Sequence, residues 1–397
     1  LRNGSSILVR RTSKLILALY ALSAIMHFYV AMRLLPDLPV ATGIKVSLGI
    51  VLVASTLLIP AAMIQSRKQH SLINTLIIWC GLIFMGLLSS QFVFTLVRDL
   101  LLLTLHLAEQ IAHLDFLSPN WLSVSASAVV LASLAITGVG FLSIVSGPAV
   151  VKVEIPIQDL PAELESFRLA QLSDIHIGPT IKRRFLQKVV ARVNELAVDA
   201  VVITGDLVDG RVHHLGQETQ ALAQLKSAAG TFFVTGNHEY YWHAEEWVAL
   251  LKTLNIRILM NEHAVISHQG KQVVIAGVAD YSAHQFIAQH RSDPERALRH
   301  APATAGLKIL LAHQPRSIFQ ARESGAHVQL SGHTHGGQFW PWNHFVPLQQ
   351  PFTSGLHWFE TMWIYVSRGT GYWGPPKRFG APAEITLIRF VRAELQQ

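Results

Sequence analysis

Four long apolar runs occupy the first 150 residues, and nothing else in the chain restricts its fold as strongly. They are Leu15 to Met32, Val46 to Ile64, Leu72 to Val97 and Leu122 to Val145. Each reaches or approaches the roughly 18–20 apolar residues that a membrane-spanning helix needs. Segments apolar on every face argue against a soluble helical domain. A secretory signal would account for the first run, which follows Arg10, Arg11 and Lys14, but not for the other three. The expectation is an α-helical membrane domain of about four transmembrane helices over residues 1–148, closed where Ser146-Gly147-Pro148 breaks the last helix. Past Arg98 and Asp99, Leu100 to Leu114 carries His106, Glu109 and His113 among leucines. It is expected to lie at the membrane surface as an amphipathic helix.

Orientation follows from basic residues in short flanks. Arg2, Arg10, Arg11 and Lys14 precede the first run, Arg67 and Lys68 separate the second from the third, and Lys152 follows the fourth. The opposite loops hold Arg33, Lys45 and Arg98 beside the acids Asp37, Asp99, Glu109 and Asp115. Both ends should then be cytoplasmic in a multi-pass protein of the cell (inner) membrane. The net charge of +7 is partly topogenic and also favours contact with anionic lipid. Half of the residues are hydrophobic and 14% charged, as when a polytopic segment is averaged with a soluble domain. Nothing indicates nucleic acid or a protein partner: the basic run Lys182-Arg183-Arg184 opens a predicted helix through Leu196 and reads first as a solvated face. The single cysteine, Cys80, rules out an intrachain disulfide.

Residues 149–397 have a different pattern. Val151 to Ile155 alternates like an entering strand, and short β-branched runs recur at Leu169 to Leu172, Ala200 to Thr204, Phe232 to Thr235, Ile309 to Ala312 and Val328 to Leu330. Bounded by Gly and Asp, these read as buried strands of an α/β domain. A polar cluster follows each of the five: Asp174-Ile175-His176, Gly205-Asp206-Leu207-Val208-Asp209, Gly236-Asn237-His238-Glu239, His313, and Gly332-His333-Thr334-His335-Gly336-Gly337-Gln338. Sites of α/β sheets lie at strand C-termini, where these clusters fall. Their Asp, Asn and His donors, with no thiolate, suit Mn, Fe or Zn rather than a sulfur-bound structural zinc. Two such ions about 3.5–4 Å apart can clamp a phosphoryl group and activate a water, provided a shared carboxylate holds them together.

The ordered set D-x-H, G-D-x-x-D, G-N-H-E, H and G-H-x-H resembles the calcineurin-like metallophosphoesterase superfamily over about Ile155 to Phe390. The resemblance implies a two-sheet sandwich flanked by helices and two divalent metal ions, manganese foremost, with zinc, iron or magnesium as alternatives. It implies Asp206 as the bridge, Asp174, His176 and His335 completing one metal, and Asn237, His313 and His333 the other. It also makes His238 the group that contacts phosphate or protonates the leaving oxygen. Asp209 then either orients His238 or ends the turn before Gly210; Glu239 either supports a ligand or begins a helix.

Serine/threonine phosphatases of this superfamily carry arginines where Gly210 and Tyr240 stand, which counts against a phosphoprotein phosphatase. Gly-His-Thr-His-Gly-Gly-Gln and the later Ser367-Arg368-Gly369-Thr370-Gly371 are closer to the bacterial phosphodiesterase branch, which includes UDP-2,3-diacylglucosamine-hydrolase-like enzymes. Arg368 and Arg378 are the candidate substrate-binding residues, since guanidinium binds phosphate oxygens bidentately. The aromatic stretches Phe339 to Phe345 and Tyr372 to Pro376 either dip into the membrane interface or pack over the sheet edge, and His357 to Val366 reads as a plain strand. The expected function is a membrane-anchored phosphoesterase hydrolysing a phosphodiester or pyrophosphate bond in a lipid-linked substrate, with the bilayer as partner. The alternatives are a phosphodiesterase for soluble substrates such as cyclic nucleotides, and an inactive membrane receptor or transport component.

Overall fold

The computed structural model describes residues 2–65, 71–113 and 118–393. Arg67, Lys68, Leu114 and Asp115, used above for the membrane reading, lie outside them. By compactness the chain divides into Leu1–Phe141 with Gly374–Lys377, and Leu142–Trp373 with Arg378–Gln397.

The helices α1 (Arg2–Leu34), α2 (Thr42–Gln65) and α3 (Leu72–Ala112) of the first unit, and α4 (Pro119–Val145), whose residues from Leu142 on belong to the second, are each long and apolar enough to cross a membrane. Val30, Leu34, Ile59, Leu88, Ala126 and Val129 pack at their common centre, while Leu17, Phe28, Ile50 and Val53 face outward. A Cβ on Gly81 would clash with the Leu58 carbonyl, so α2 and α3 meet at backbone distance. The surface helix expected over 100–114 is not a separate element. α3 continues unbroken past Arg98 and Asp99, because both charges find partners where they stand. Arg98 bonds the Asp37 carboxylate, the Arg33 carbonyl at 2.9 Å and Ser125 Oγ at 2.9 Å. Asp99 accepts from Tyr29 at 2.7 Å and Arg33 at 2.8 Å.

The second unit holds two six-stranded sheets. Its strands are β1 (Ala149–Ile157), β2 (Arg168–Leu172), β3 (Ala200–Thr204), β4 (Thr231–Val234), β5 (Ile256–Ile258), β6 (Glu262–His268), β7 (Lys271–Gly277), β8 (Leu307–Leu311), β9 (Val328–Ser331), β10 (Gly355–Phe359), β11 (Met362–Val366) and β12 (Glu384–Arg392). One sheet runs β1-β12-β2-β3-β4-β5 and the other β10-β11-β9-β8-β7-β6. Leu169, Val202 and Phe232 of the first face Ile275, Ile309 and Leu330 of the second across a common core, making a sandwich. α5 (Arg183–Glu195) covers the outer face of the first sheet through Leu186, Val189 and Val193. The single strand expected over 357–366 is instead the antiparallel hairpin β10–β11. Glu360 turns it with φ 51°, a conformation its side chain does not advertise.

Because β2, β3 and β4 run parallel, as do β7, β8, β9 and β11, their C-terminal ends open on the same rim of the sandwich.

Candidate metal centre

Every polar cluster read from the sequence leaves the end of one of these strands. Asp174 and His176 follow β2, Asp206 and Asp209 follow β3, Asn237 and His238 follow β4, His313 follows β8, and His333 and His335 follow β9. The loops are sharply bent: Asp174, His176, Asp206, His333 and His335 all hold positive φ, between 51° and 71°. For residues other than glycine each such conformation costs on the order of 1–3 kcal/mol and persists only where the surroundings enforce it.

Two carboxylates do the enforcing. Glu239, fully buried, accepts from the Gly236 amide at 2.7 Å, Asp206 at 3.0 Å and Leu207 at 2.8 Å, tying the loops after β3 and β4 together. Burial and the charge of Asp206 push its pKa up to about 8, against the Gly236 and Leu207 donors and the charge of His313. Asp174 takes the His333 amide on both oxygens at 3.0 Å, joining the loops after β2 and β9. Gly236 and Gly332 permit the approach, since a Cβ on either would collide with Asp206 or Asp174.

Asp206 is the centre of the arrangement. Its Oδ1 accepts the His238 amide at 2.9 Å, and its Oδ2 faces Nε2 of His313 at 3.1 Å, His238 at 3.8 Å and His176 at 3.9 Å. Donor atoms of Asp174, His176 and His335 form one group, and those of Asp206, His313 and His333 another, each within 4.8 Å of one another. Asn237 opens the short helical turn after Gly236, and its buried Oδ1 has no hydrogen-bond partner. His176 Nε2 faces His335 Nε2 at 3.0 Å, and His313 Nε2 faces His333 Nδ1 at 3.2 Å. Ring nitrogens meeting this way repel unless a proton or cation lies between them. An orphaned amide oxygen and two such nitrogen pairs fit divalent cations.

The rings are set by their second nitrogens. His313 Nδ1 donates to the Thr204 carbonyl at 2.7 Å, leaving Nε2 turned to Asp206. Asp209 Oδ1 accepts from His238 Nδ1 at 2.5 Å and from His176 Nδ1 at 3.2 Å. It therefore backs two imidazoles at once. Burial alone would raise its pKa, but the two rings hold the carboxyl well below the usual range. Burial opposes charge on His238, yet Asp206 and Asp209 outweigh this and push it up to about 9. Burial and the neighbouring His313 push His333 down to about 3, and burial likewise keeps His335 neutral, the form that ligates.

The two arginines differ. Arg368 is paired through Nε with the buried Glu384 at 2.7 Å, with its side chain 29% exposed. Arg378 is buried, and its guanidinium donates to the carbonyls of His335, Gly371, Arg368 and Ala381 and to the His335 ring. Its donors are spent on holding backbone around His335, so the phosphate contact expected for it does not fit this position. Sequence reasoning missed Asp280, which follows β7 and is fully buried. It accepts from Ser282 and from Gln314, the neighbour of His313. A lone Asp after a strand with no His or Gly beside it gave no signal. Around His238 stand Tyr241, at 5.2 Å between ring centroids, and Trp373, at 5.8 Å. Both are about half exposed, as is Phe286 against Tyr241. Trp340, Trp342 and Phe345 are also partly exposed rather than core.

Residues 167–337 match the family model described as calcineurin-like phosphoesterase. A Danio rerio protein named transmembrane protein with metallophosphoesterase domain is 42% identical over 257 residues, 63% of this chain and 59% of that protein. A Bos taurus protein of the same name is 40% identical over 278 residues, 67% of this chain and 62% of that protein. The chain thus spans less than two thirds of these two relatives' length. An uncharacterized metallophosphoesterase of Aquifex aeolicus is 32% identical over 242 residues, 60% of this chain and 89% of that protein. The paired His and Asp groups at the strand ends and these matches have one common explanation: the chain belongs to the calcineurin-like metallophosphoesterases, a family of metal-dependent phosphoester hydrolases.

Proposed function

We propose that the chain is a membrane-anchored phosphoesterase that uses two divalent ions to cleave a phosphodiester or pyrophosphate bond. The observation carrying this reading is Asp206 Oδ2, one carboxylate oxygen faced by three imidazoles from three strand ends. Asp174, His176, Asp206 and His335 would hold one ion, and Asp206, Asn237, His313 and His333 the other. Bound there, the ions would polarise the phosphoryl oxygens and activate the attacking water. His238 Nε2, aimed into the site by the Asp209 bond on its other nitrogen, hands a proton to the leaving oxygen. Arg368 steadies a non-bridging phosphate oxygen with the face its pairing to Glu384 leaves open. Manganese is the metal we favour from the family resemblance; the oxygen-and-imidazole donor set itself suits Mn, Fe or Zn alike.

The substrate we favour is lipid-linked. Tyr241 and Trp373 put half-exposed rings beside the proton donor, with Phe286 against Tyr241, an apolar flank that an alkyl chain would cover. Only Ser146, Gly147 and Pro148 separate the last candidate span from β1, so the catalytic unit stays near the bilayer that α4 crosses. We place that unit on the cytoplasmic side of the cell membrane from the basic flanks. The test is hydrolysis of bis-p-nitrophenyl phosphate by detergent-purified protein with Mn²⁺, Zn²⁺, Mg²⁺ or chelator, beside Asp206→Ala. Metal-dependent release lost in the variant is expected. Absence of both release and bound metal by elemental analysis would overturn the reading.

A further inference from the structure

The basic run at the start of α5 does not face open solvent alone. It borders a cleft of about 540 Å³ within the second unit. Lys182, Arg184, Lys188 and Arg192 line it. The last three recur every fourth residue, so they form one stripe along the helix. Among the described residues Arg184 and Lys188 make no ion pair, and Arg192 has only the exposed Glu195 at 3.1 Å. Lys182 is half-buried, and burial lowers its pKa despite the attraction of Glu218. A cation held that way gains from an anion placed beside it.

The floor is apolar. Phe185 and Val189 come from α5, and Ile144 and Val145 from the last turn of α4. That turn also leaves Leu142 and Val145 more than three-fifths exposed, and it ends a candidate membrane span. The cleft therefore begins where hydrocarbon gives way to headgroups. Four cations above an apolar floor that continues onto a spanning helix match one chemistry: a phosphate-bearing headgroup with acyl chains attached.

We propose that this cleft binds an anionic phospholipid of the surrounding membrane, with its phosphate between Arg184 and Lys188 and its chains along the exposed face of Leu142 and Val145. A bound headgroup fixes α5, and with it the first sheet, against the lipid surface. This site is separate from the metal centre and does not depend on what that centre hydrolyses.

The experiment uses the full chain in detergent and counts bound lipid by native mass spectrometry. Probes are phosphatidylglycerol, phosphatidylcholine, and inorganic phosphate as competitor. Phosphatidylglycerol should bind the unaltered chain in preference to phosphatidylcholine. The double variant Arg184→Ala, Lys188→Ala should bind it on the order of tenfold more weakly, since each cation near the surface contributes severalfold. The charge-conserving pair Arg184→Lys, Lys188→Arg should keep affinity within about twofold, which separates lost charge from lost fold. Equal affinity of the alanine variant would overturn the proposal. So would loss of binding in the charge-conserving variant with an unchanged melting temperature. Displacement of the lipid by equimolar inorganic phosphate would overturn the lipid as the occupant.

Discussion

Asp209 Oδ1 lies 2.5 Å from His238 Nδ1, and the same oxygen lies 3.2 Å from His176 Nδ1. One carboxylate thus fixes both the ring expected to move the proton and a ring expected to hold metal. Asp209→Asn keeps the volume but replaces an acceptor by a group that is a donor on one side. At saturating metal, kcat on bis-p-nitrophenyl phosphate should fall on the order of 10²-fold or more. His238→Ala should fall by a similar factor, and adding Asp209→Asn to it should cost less than Asp209→Asn alone, because only the His176 bond remains to be lost. Full additivity in this cycle would show that Asp209 acts elsewhere.

Arg378 supports the loop that carries His335 rather than touching substrate. Arg378→Met would leave several buried carbonyls without donors, each costing about 1–3 kcal/mol. The melting temperature should drop clearly, while KM of the folded fraction stays unchanged. A raised KM with unaltered melting would return Arg378 to the substrate.

How much of this was legible varies with how local the cause is. β3 coincides with its sequence run at Ala200–Thr204, since a β-branched segment closed by Gly-Asp needs no partner to be recognised. The candidate metal ligands stood out because each sits just after such a strand. Arg378 was misread because sequence shows its charge but not the carbonyls that fold around it. Glu239 remained ambiguous for the same reason: its three amide donors come from loops brought together by sheet pairing. The length of α3 depended on Asp37, a partner distant along the chain. The cleft beside α5 was out of reach too, because its floor comes from α4 and β12 as well as the basic helix.

His327 provides a pH response away from the metal centre. Its Nδ1 accepts the Lys308 amide at 3.2 Å, and burial, aided by the Lys308 charge, lowers its pKa from 6.5. The folded state therefore disfavours the protonated ring more than the unfolded chain does. Its contribution is present in full above pH 6.5 and is lost as pH falls from there through the folded pKa. Melting temperature should decline over that acid window, and His327→Asn should flatten this part of the profile. An identical decline in the variant would assign the acid sensitivity to other groups.

Trp373 tests what the apolar flank is for. Its backbone is pinned by Gln338 on both sides, with bonds of 2.8 and 2.9 Å, so the indole is presented beside His238 by a rigid loop. If that ring receives an alkyl chain next to the scissile phosphate, the intact protein should hydrolyse dodecyl p-nitrophenyl phosphate with higher kcat/KM than the methyl diester. Trp373→Ala should remove on the order of tenfold of this preference, the transfer value of about 50 Å² of apolar surface at 25 cal/mol per Å². The methyl diester should change by less than about threefold, because it has no chain to lose. Equal losses on both diesters would mean that Trp373 orients His238 rather than the chain, and would count against a lipid-linked substrate.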